Sequence, residues 1–227
     1  MVKVWLGNIT PLLESSKLEH YYNQLPDHRR EKANRQSVPL KKAQSVGAWI
    51  LWSNMKEQYG LREESIYNLS HSGELVMCAA LIHNEAATQR QIADHLPESD
   101  SSRLKDARLG CDIERIREIN DKLPERFFAL SEIERIKQEP TKEGQREVFF
   151  RLWVLKESYM KATRQGMKLD MRNFEIELGD QRVILKQPKE HCGQVNFYEL
   201  PINNQEYRAA VCTTSEWIDR TVYEFDF

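Results

Sequence analysis

The feature that most limits what this chain can fold into is a polar interruption at residues 83–105, which includes Pro97-Glu98-Ser99-Asp100-Ser101-Ser102. Such a composition cannot bury enough apolar surface to join a core. Helical and strand periodicities occur on both sides of it. The chain therefore predicts two halves of mixed structure, residues 1–107 and 108–227, with a connector at about 83–107. At 227 residues it falls between one domain and two on a usual size of ~150 residues.

Composition narrows the function classes. The chain is 40% hydrophobic and 30% charged, as expected of a globular fold. Its apolar runs fall short of the ~18 residues of a membrane span, so no membrane partner is expected. Lys plus Arg number 33 against 35 Asp plus Glu, for a net charge of -2. This argues against a nucleic-acid partner but leaves room for a local basic patch that holds phosphate. The segment MVKVWLGNITPLLESS lacks the apolar stretch and cleavage pattern of a signal peptide, which predicts a cytoplasmic protein. Nothing signals oligomerisation, so a monomer is expected. Cys78, Cys111, Cys192 and Cys212 form no Cys-x-x-Cys pair and read as reduced, buried thiols rather than a zinc or redox site.

A coarse reading places a strand at 2–6, a helix after Pro26 and a long helix at 41–59. An apolar strand follows at 75–82. The second half predicts helices at about 123–138 and 146–164, a hairpin of 174–178 with 182–185 around Gly179-Asp180, and a strand pair at 195–200 and 207–211. The fold class is α+β.

Three segments could carry chemistry. In Leu109-Gly110-Cys111-Asp112-Ile113-Glu114, strand alternation puts Gly110, Asp112 and Glu114 on one face. Paired carboxylates repel unless a cation sits between them, and Mg²⁺ takes such pairs together with phosphate oxygens. Gly110 would leave room for a ligand. A plain solvated strand face is the alternative. In the helix around residues 149–161, Trp153, Glu157 and Lys161 step by four along one flank; an ordinary Glu-to-Lys helix pair is the alternative. Asn68-Leu69-Ser70-His71-Ser72-Gly73 offers donors suited to phosphate oxygens, or is a polar turn.

Taken in order, these segments resemble the 4′-phosphopantetheinyl transferase family, of the longer, surfactin-synthetase-activating type. The family pattern is Asn-x-Ser-His-Ser, then Gly-x-Asp-x-Glu, then Trp-x-x-Lys-Glu-Ser/Ala-x-x-Lys. It is met here by Asn68 to Ser72, Gly110 to Glu114, and Trp153 to Lys161. Arg126-Phe127-Phe128 with Glu132, and Arg30-Glu31-Lys32 after Pro26, are similar to two further family segments. The resemblance is dense from about residue 67 to 178.

The resemblance implies two similar halves about a pseudo-twofold axis, each a small, mostly antiparallel sheet packed with helices, with coenzyme A between them. It implies Mg²⁺-dependent (or Mn²⁺-dependent) transfer of phosphopantetheine to a serine of an acyl or peptidyl carrier protein, with release of 3′,5′-ADP. Asp112, Glu114 and Glu157 would hold the metal. Glu157 would also take the serine proton, directly or through a water, with Glu132 a weaker candidate for helping. Glu157, Lys161 and His71 are the expected catalytic residues. Arg29, Arg30, Lys32, Ser70, His71, Lys156 and Lys161 are the expected coenzyme A ligands. Carrier docking would use the Phe127-Phe128 segment and the stretch after Arg164.

The chain departs from the family in lacking a Gly-Lys-Pro segment before Asn68, so adenine would be held more loosely or by other residues such as Arg62. A non-catalytic module that binds carrier protein or coenzyme A, and a metal-dependent nuclease, are the rival readings.

Overall fold

The computed structural model describes residues 1–82, 107–179, 183–186 and 194–227; the connector and Cys192 lie outside them. The first half contains β1 (Val2–Asn8), a short 3-10 turn, α1 (Ser15–Tyr22), α2 (Asp27–Asn34), α3 (Pro39–Gln58), β2 (Tyr67–Ser72) and β3 (Leu75–Leu81). The second contains β4 (Leu109–Arg115), α4 (Leu123–Phe127), α5 (Leu130–Lys137) and α6 (Lys142–Thr163). After two further 3-10 turns come β5 (Glu175–Leu178), β6 (Val183–Lys186), β7 (Asn196–Glu199), β8 (Tyr207–Thr213) and β9 (Ile218–Phe225).

Alternation along the strands builds the layers. One sheet has the order β2-β3-β1-β9, a second β4-β8-β7, and β5-β6 form a hairpin. Val2, Val4 and Leu6 of β1, Met77 and Ala79 of β3, Cys111 and Ile113 of β4, and Ala209 and Val211 of β8 meet in one core between the sheets. The opposite faces go to helices. Trp5, Val76, Cys78 and Ala80 pack with Val46, Trp49, Ile50 and Met55 of α3. Ala210 and Cys212 pack with Leu152, Leu155, Tyr159 and Ala162 of α6. The order of layers is thus helix, sheet, sheet, helix. It explains why β3 is apolar at every position, since all seven of its residues are buried.

Both expected strand pairs in the second half form, β5 with β6 and β7 with β8. Three elements differ from expectation. The helix foreseen at 123–138 breaks between α4 and α5, where Phe128 and Ala129 are extended. The Glu132 carboxylate accepts from the Ala129 N–H at 2.9 Å, satisfying a free donor at the new helix start. The polar segment at 68–72 is a strand rather than a turn. The C-terminal strand β9, which has no clean alternation, pairs parallel with β1 and so completes the sheet of the first half.

Among the described residues, Cys78, Cys111 and Cys212 are buried and form no disulfide. Burial pushes the Cys111 thiol up to about 12 and Cys78 well above its ordinary value, in keeping with inert packing residues. Among the described residues no helix is long and apolar enough to cross a membrane.

Candidate active site

β4 is an edge strand. One side pairs with β8 from Leu109 to Arg115, which leaves a row of N–H groups on the other side needing acceptors. Side chains of β2 supply them. Asn68 Oδ1 accepts from the Cys111 N–H at 3.0 Å, Ser70 Oγ from Ile113 at 3.3 Å, and Ser72 Oγ from Arg115 at 3.1 Å. The three acceptors are two residues apart, so they share one face of β2. This is the physical meaning of Asn-x-Ser-x-Ser in this chain.

The same hydroxyls reach the acidic face of β4. Ser70 Oγ donates to Asp112 Oδ1 at 2.8 Å, and Ser72 Oγ donates to Glu114 Oε2 at 2.7 Å. From α6, Lys161 Nζ donates to Asp112 Oδ1 at 2.8 Å, to the Cys111 carbonyl at 3.0 Å and to Ser70 Oγ at 3.1 Å. Asp112 is buried, and its Oδ2 has no hydrogen-bond partner among the described residues. Burial pushes the Asp112 carboxyl up against the pull of Lys161. Burial likewise raises Glu157, followed by the charges of Asp112 and Glu114. It raises Glu114 too, with Asp112 adding to the shift. Burial draws the Lys161 ammonium down, but Asp112, Cys111 and Glu157 outweigh it and the net shift is upward. The three carboxylates foreseen from sequence therefore act on one another. Among the described residues, however, no group of three His, Cys, Asp or Glu side chains is drawn close enough to form a complete metal cage.

Gly110 has a different role from the one expected. A Cβ there would lie 2.1 Å from the Ser158 carbonyl oxygen, 2.4 Å from the Ala162 nitrogen and 2.9 Å from Lys161 Cβ. The missing side chain admits the α6 backbone, not a ligand. That close approach brings Lys161 to Asp112.

Three more of the expected residues are engaged within the protein. Lys156 is fully buried; its Nζ lies 2.8 Å from Glu132 Oε1 and donates to the carbonyls of Met171 at 2.8 Å and Phe174 at 2.6 Å. It points away from Glu157, because successive residues of one helix turn in different directions. Glu132 is buried in the same pair and also accepts from the Ile176 N–H at 2.7 Å, so it is fastened to structure rather than free to move a proton. Ser70 is buried, and its one hydroxyl proton goes to Asp112, leaving none to donate to a phosphate oxygen.

The basic residues lie on neighbouring elements. Arg29 of α2 stacks its guanidinium 4.4 Å from the Trp49 ring centre, and its Nε is buried without a partner among the described residues. Arg30 is engaged by Asp27. Lys32 is exposed; burial and then the charge of Arg29 lower its ammonium. His71 projects from β2, and burial followed by the charge of Lys41, with lesser effects of Lys161 and Lys32, lowers its imidazole. Cations from α2, α3 and α6 thus converge electrostatically on His71. Sequence reading missed Lys41, which stands one residue after Leu40 in the first turn of α3 without a motif to mark it. It also passed over Asn68 and Ser72 as individual site residues, although polar residues at 68, 70 and 72 were a visible signal of a strand face.

Residues 108–212 match the model of the 4′-phosphopantetheinyl transferase superfamily. The chain is 34% identical over 148 residues to the 4′-phosphopantetheinyl transferase gsp of Aneurinibacillus migulanus, covering 65% of this chain and 51% of that protein. It is 31% identical over 149 residues to psf-1 of Bacillus pumilus, covering 65% and 52%. To Sfp of Bacillus subtilis it is 28% identical over 148 residues, covering 64% and 54%. The chain spans about half the length of the curated relatives it matches. Among solved structures, it is similar to a holo-(acyl-carrier-protein) synthase from Bacillus anthracis in complex with coenzyme A, at 23% identity and a TM-score of 0.40, covering 47% of this chain and 93% of that one. The stretch that holds Asp112, Glu114, Glu157 and Lys161 is thus the part of the chain that matches the 4′-phosphopantetheinyl transferase superfamily model.

Proposed function

We propose that this chain moves the 4′-phosphopantetheine arm of coenzyme A onto a serine of an acyl or peptidyl carrier protein and releases 3′,5′-ADP. The observation that carries the reading is the Asp112 carboxylate, with one oxygen held by Ser70 and Lys161 and the other buried without a partner. A buried carboxylate oxygen without a donor is costly, and a bound cation would remove the cost. Glu114 and Glu157 add negative charge at the same place. Hard oxygen donors of this kind suit Mg²⁺ or Mn²⁺, so these residues fit such an ion, and Asp112, Glu114 and Glu157 would hold it. When bound, a divalent cation would supply polarisation of the phosphoryl oxygens and neutralise charge on the departing 5′-phosphate of 3′,5′-ADP.

The residues of the chain do the rest. Glu157, its carboxyl raised by burial and then by the charge of Asp112, is suited to accept the proton of the carrier serine. The serine oxygen bonds to the phosphorus bearing pantetheine, the bridging P–O bond breaks, and its electron pair leaves with 3′,5′-ADP. His71 would face the phosphate oxygens with an N–H donor, and Lys161, whose three N–H groups go to Asp112, the Cys111 carbonyl and Ser70, would act on them through its positive charge. Arg29, Arg30 and Lys32 would meet the ribose 3′-phosphate, the stacked guanidinium of Arg29 being pre-oriented for it. At the carrier surface, Phe128 is buried against Phe149 and belongs to the core. Leu130 is 80% exposed and is the apolar side chain of that segment open to a partner helix.

The test is mass spectrometry of apo-carrier proteins incubated with the chain, coenzyme A and Mg²⁺. A gain of one phosphopantetheine on a serine is the expected result. Coenzyme A binding without transfer to carriers of fatty acid, polyketide and peptide synthesis would overturn it in favour of a binding module.

A further inference from the structure

The hydrogen bonds between β2 and β4 keep a constant offset. Residues 68, 70 and 72 accept from N–H groups 43 positions further on, and the two serines donate to carboxylates 42 positions further on. Each serine therefore clamps a carboxylate to the backbone of its own strand. The hydroxyl takes the N–H of the residue after the acid and gives its proton to the acid. Ser70 uses every hydrogen-bonding capacity a hydroxyl has, one donor and two acceptors, on Asp112, Ile113 and Lys161. The clamp acts on one oxygen of each acid, Oδ1 of Asp112 and Oε2 of Glu114. It leaves Asp112 Oδ2 as the unpartnered atom.

We infer that Ser70 and Ser72 are positioning residues, which fix the rotamers of Asp112 and Glu114 so that the second oxygen of each is presented to a divalent cation, and are not ligands of the coenzyme A phosphates. The inference rests on the metal role of Asp112 and Glu114 proposed above. Carboxylates that bind metals are held by hydrogen bonds of their own, and loss of such a bond commonly weakens metal affinity 10–100-fold. A phosphate ligand would behave otherwise, since its removal weakens coenzyme A whether or not metal is present.

The experiment measures two affinities on the wild-type chain and on S70A, S72A and S70T. One is for Mn²⁺ alone, read by electron paramagnetic resonance of the free ion. The other is for coenzyme A in EDTA, read by calorimetry. The expected result is an approximately tenfold loss of Mn²⁺ affinity in S70A and S72A, recovery in S70T, which keeps the hydroxyl, and unchanged coenzyme A affinity without metal. If S70A does not fold, S72A makes the same point at Glu114, where the serine has fewer partners. Wild-type Mn²⁺ affinity in both alanine variants would overturn the inference and leave the proposed metal site standing, as would a loss of metal-free coenzyme A affinity alone. Failure of the wild-type chain to bind Mn²⁺ would overturn the metal reading and the inference with it.

Discussion

Lys161 Nζ and Asp112 Oδ1, 49 residues apart in the chain, meet at 2.8 Å because Gly110 lets α6 sit directly on β4. The ammonium stands on one side of the carboxylate, and the unpartnered Oδ2 remains on the other. Three carboxylates faced by two cations, Lys161 at Asp112 and Arg117 at Glu114, carry excess negative charge, and most of the behaviour expected of this protein follows from that excess.

Glu157→Gln keeps the shape of the side chain and removes both its charge and its basicity. Transfer should fall by about 10²–10⁴-fold, the usual contribution of a positioned base, while the protein stays folded. Rates of carrier modification by mass spectrometry, with circular dichroism as a control, check this; a variant with most of its activity would exclude Glu157 from the chemistry.

Without metal, the cluster makes the fold lose stability as pH rises. Burial holds the carboxyls of Asp112, Glu114 and Glu157 above their ordinary values, so the folded state binds more protons than the unfolded state. Their contribution is present below the ordinary carboxylate range and is lost upward through the raised values. In EDTA, Glu157→Gln should melt higher than the wild type at pH 7, and the gap should close toward pH 4. A gap that is flat with pH would contradict this.

Gly110→Ala places a methyl group against the backbone of Ser158 and Ala162, atoms that cannot swing aside. Separation of α6 from β4 should cost about 1–3 kcal/mol, as overpacking does. Urea denaturation gives the cost, and transfer activity should fall as well because Lys161 moves with its helix.

Lys156 and Glu132 form an ion pair that is fully buried on both sides. Lys156→Met leaves Glu132 and two carbonyls without their donor, and should cost about 3–5 kcal/mol. The double variant Lys156→Met with Glu132→Gln should lose less than the sum of the two singles. Normal stability with weakened coenzyme A binding would instead mean that Lys156 does reach phosphate.

Arg29→Ala and Lys32→Ala should weaken coenzyme A but leave 3′-dephospho-coenzyme A nearly unaffected, since the contact is with the ribose phosphate. A charge-assisted contact is worth about 1.5–3 kcal/mol, roughly tenfold or more in affinity. Arg30→Ala should show the smaller effect, because its guanidinium is already engaged by Asp27. Calorimetry with both nucleotides distinguishes the three.

Some of this was legible in the chain itself. Alternation from Leu109 to Glu114 determined that Asp112 and Glu114 share a face, and the four-residue step determined that Glu157 and Lys161 share a flank. Both follow from local backbone periodicity, which neighbours in sequence set. Only tertiary structure decided that Lys156 turns inward to Glu132 while Glu157 beside it turns to the acidic cluster, that β9 joins β1, and that Gly110 seats a helix. Those outcomes depend on which faces become buried against each other. Burial is settled by packing between residues on different elements, not by the spacing of residues along one element. Ser70 and Ser72 lie between the two cases: their period of two was visible, but their partners on β4 emerged only when an edge strand without backbone acceptors came to rest beside them.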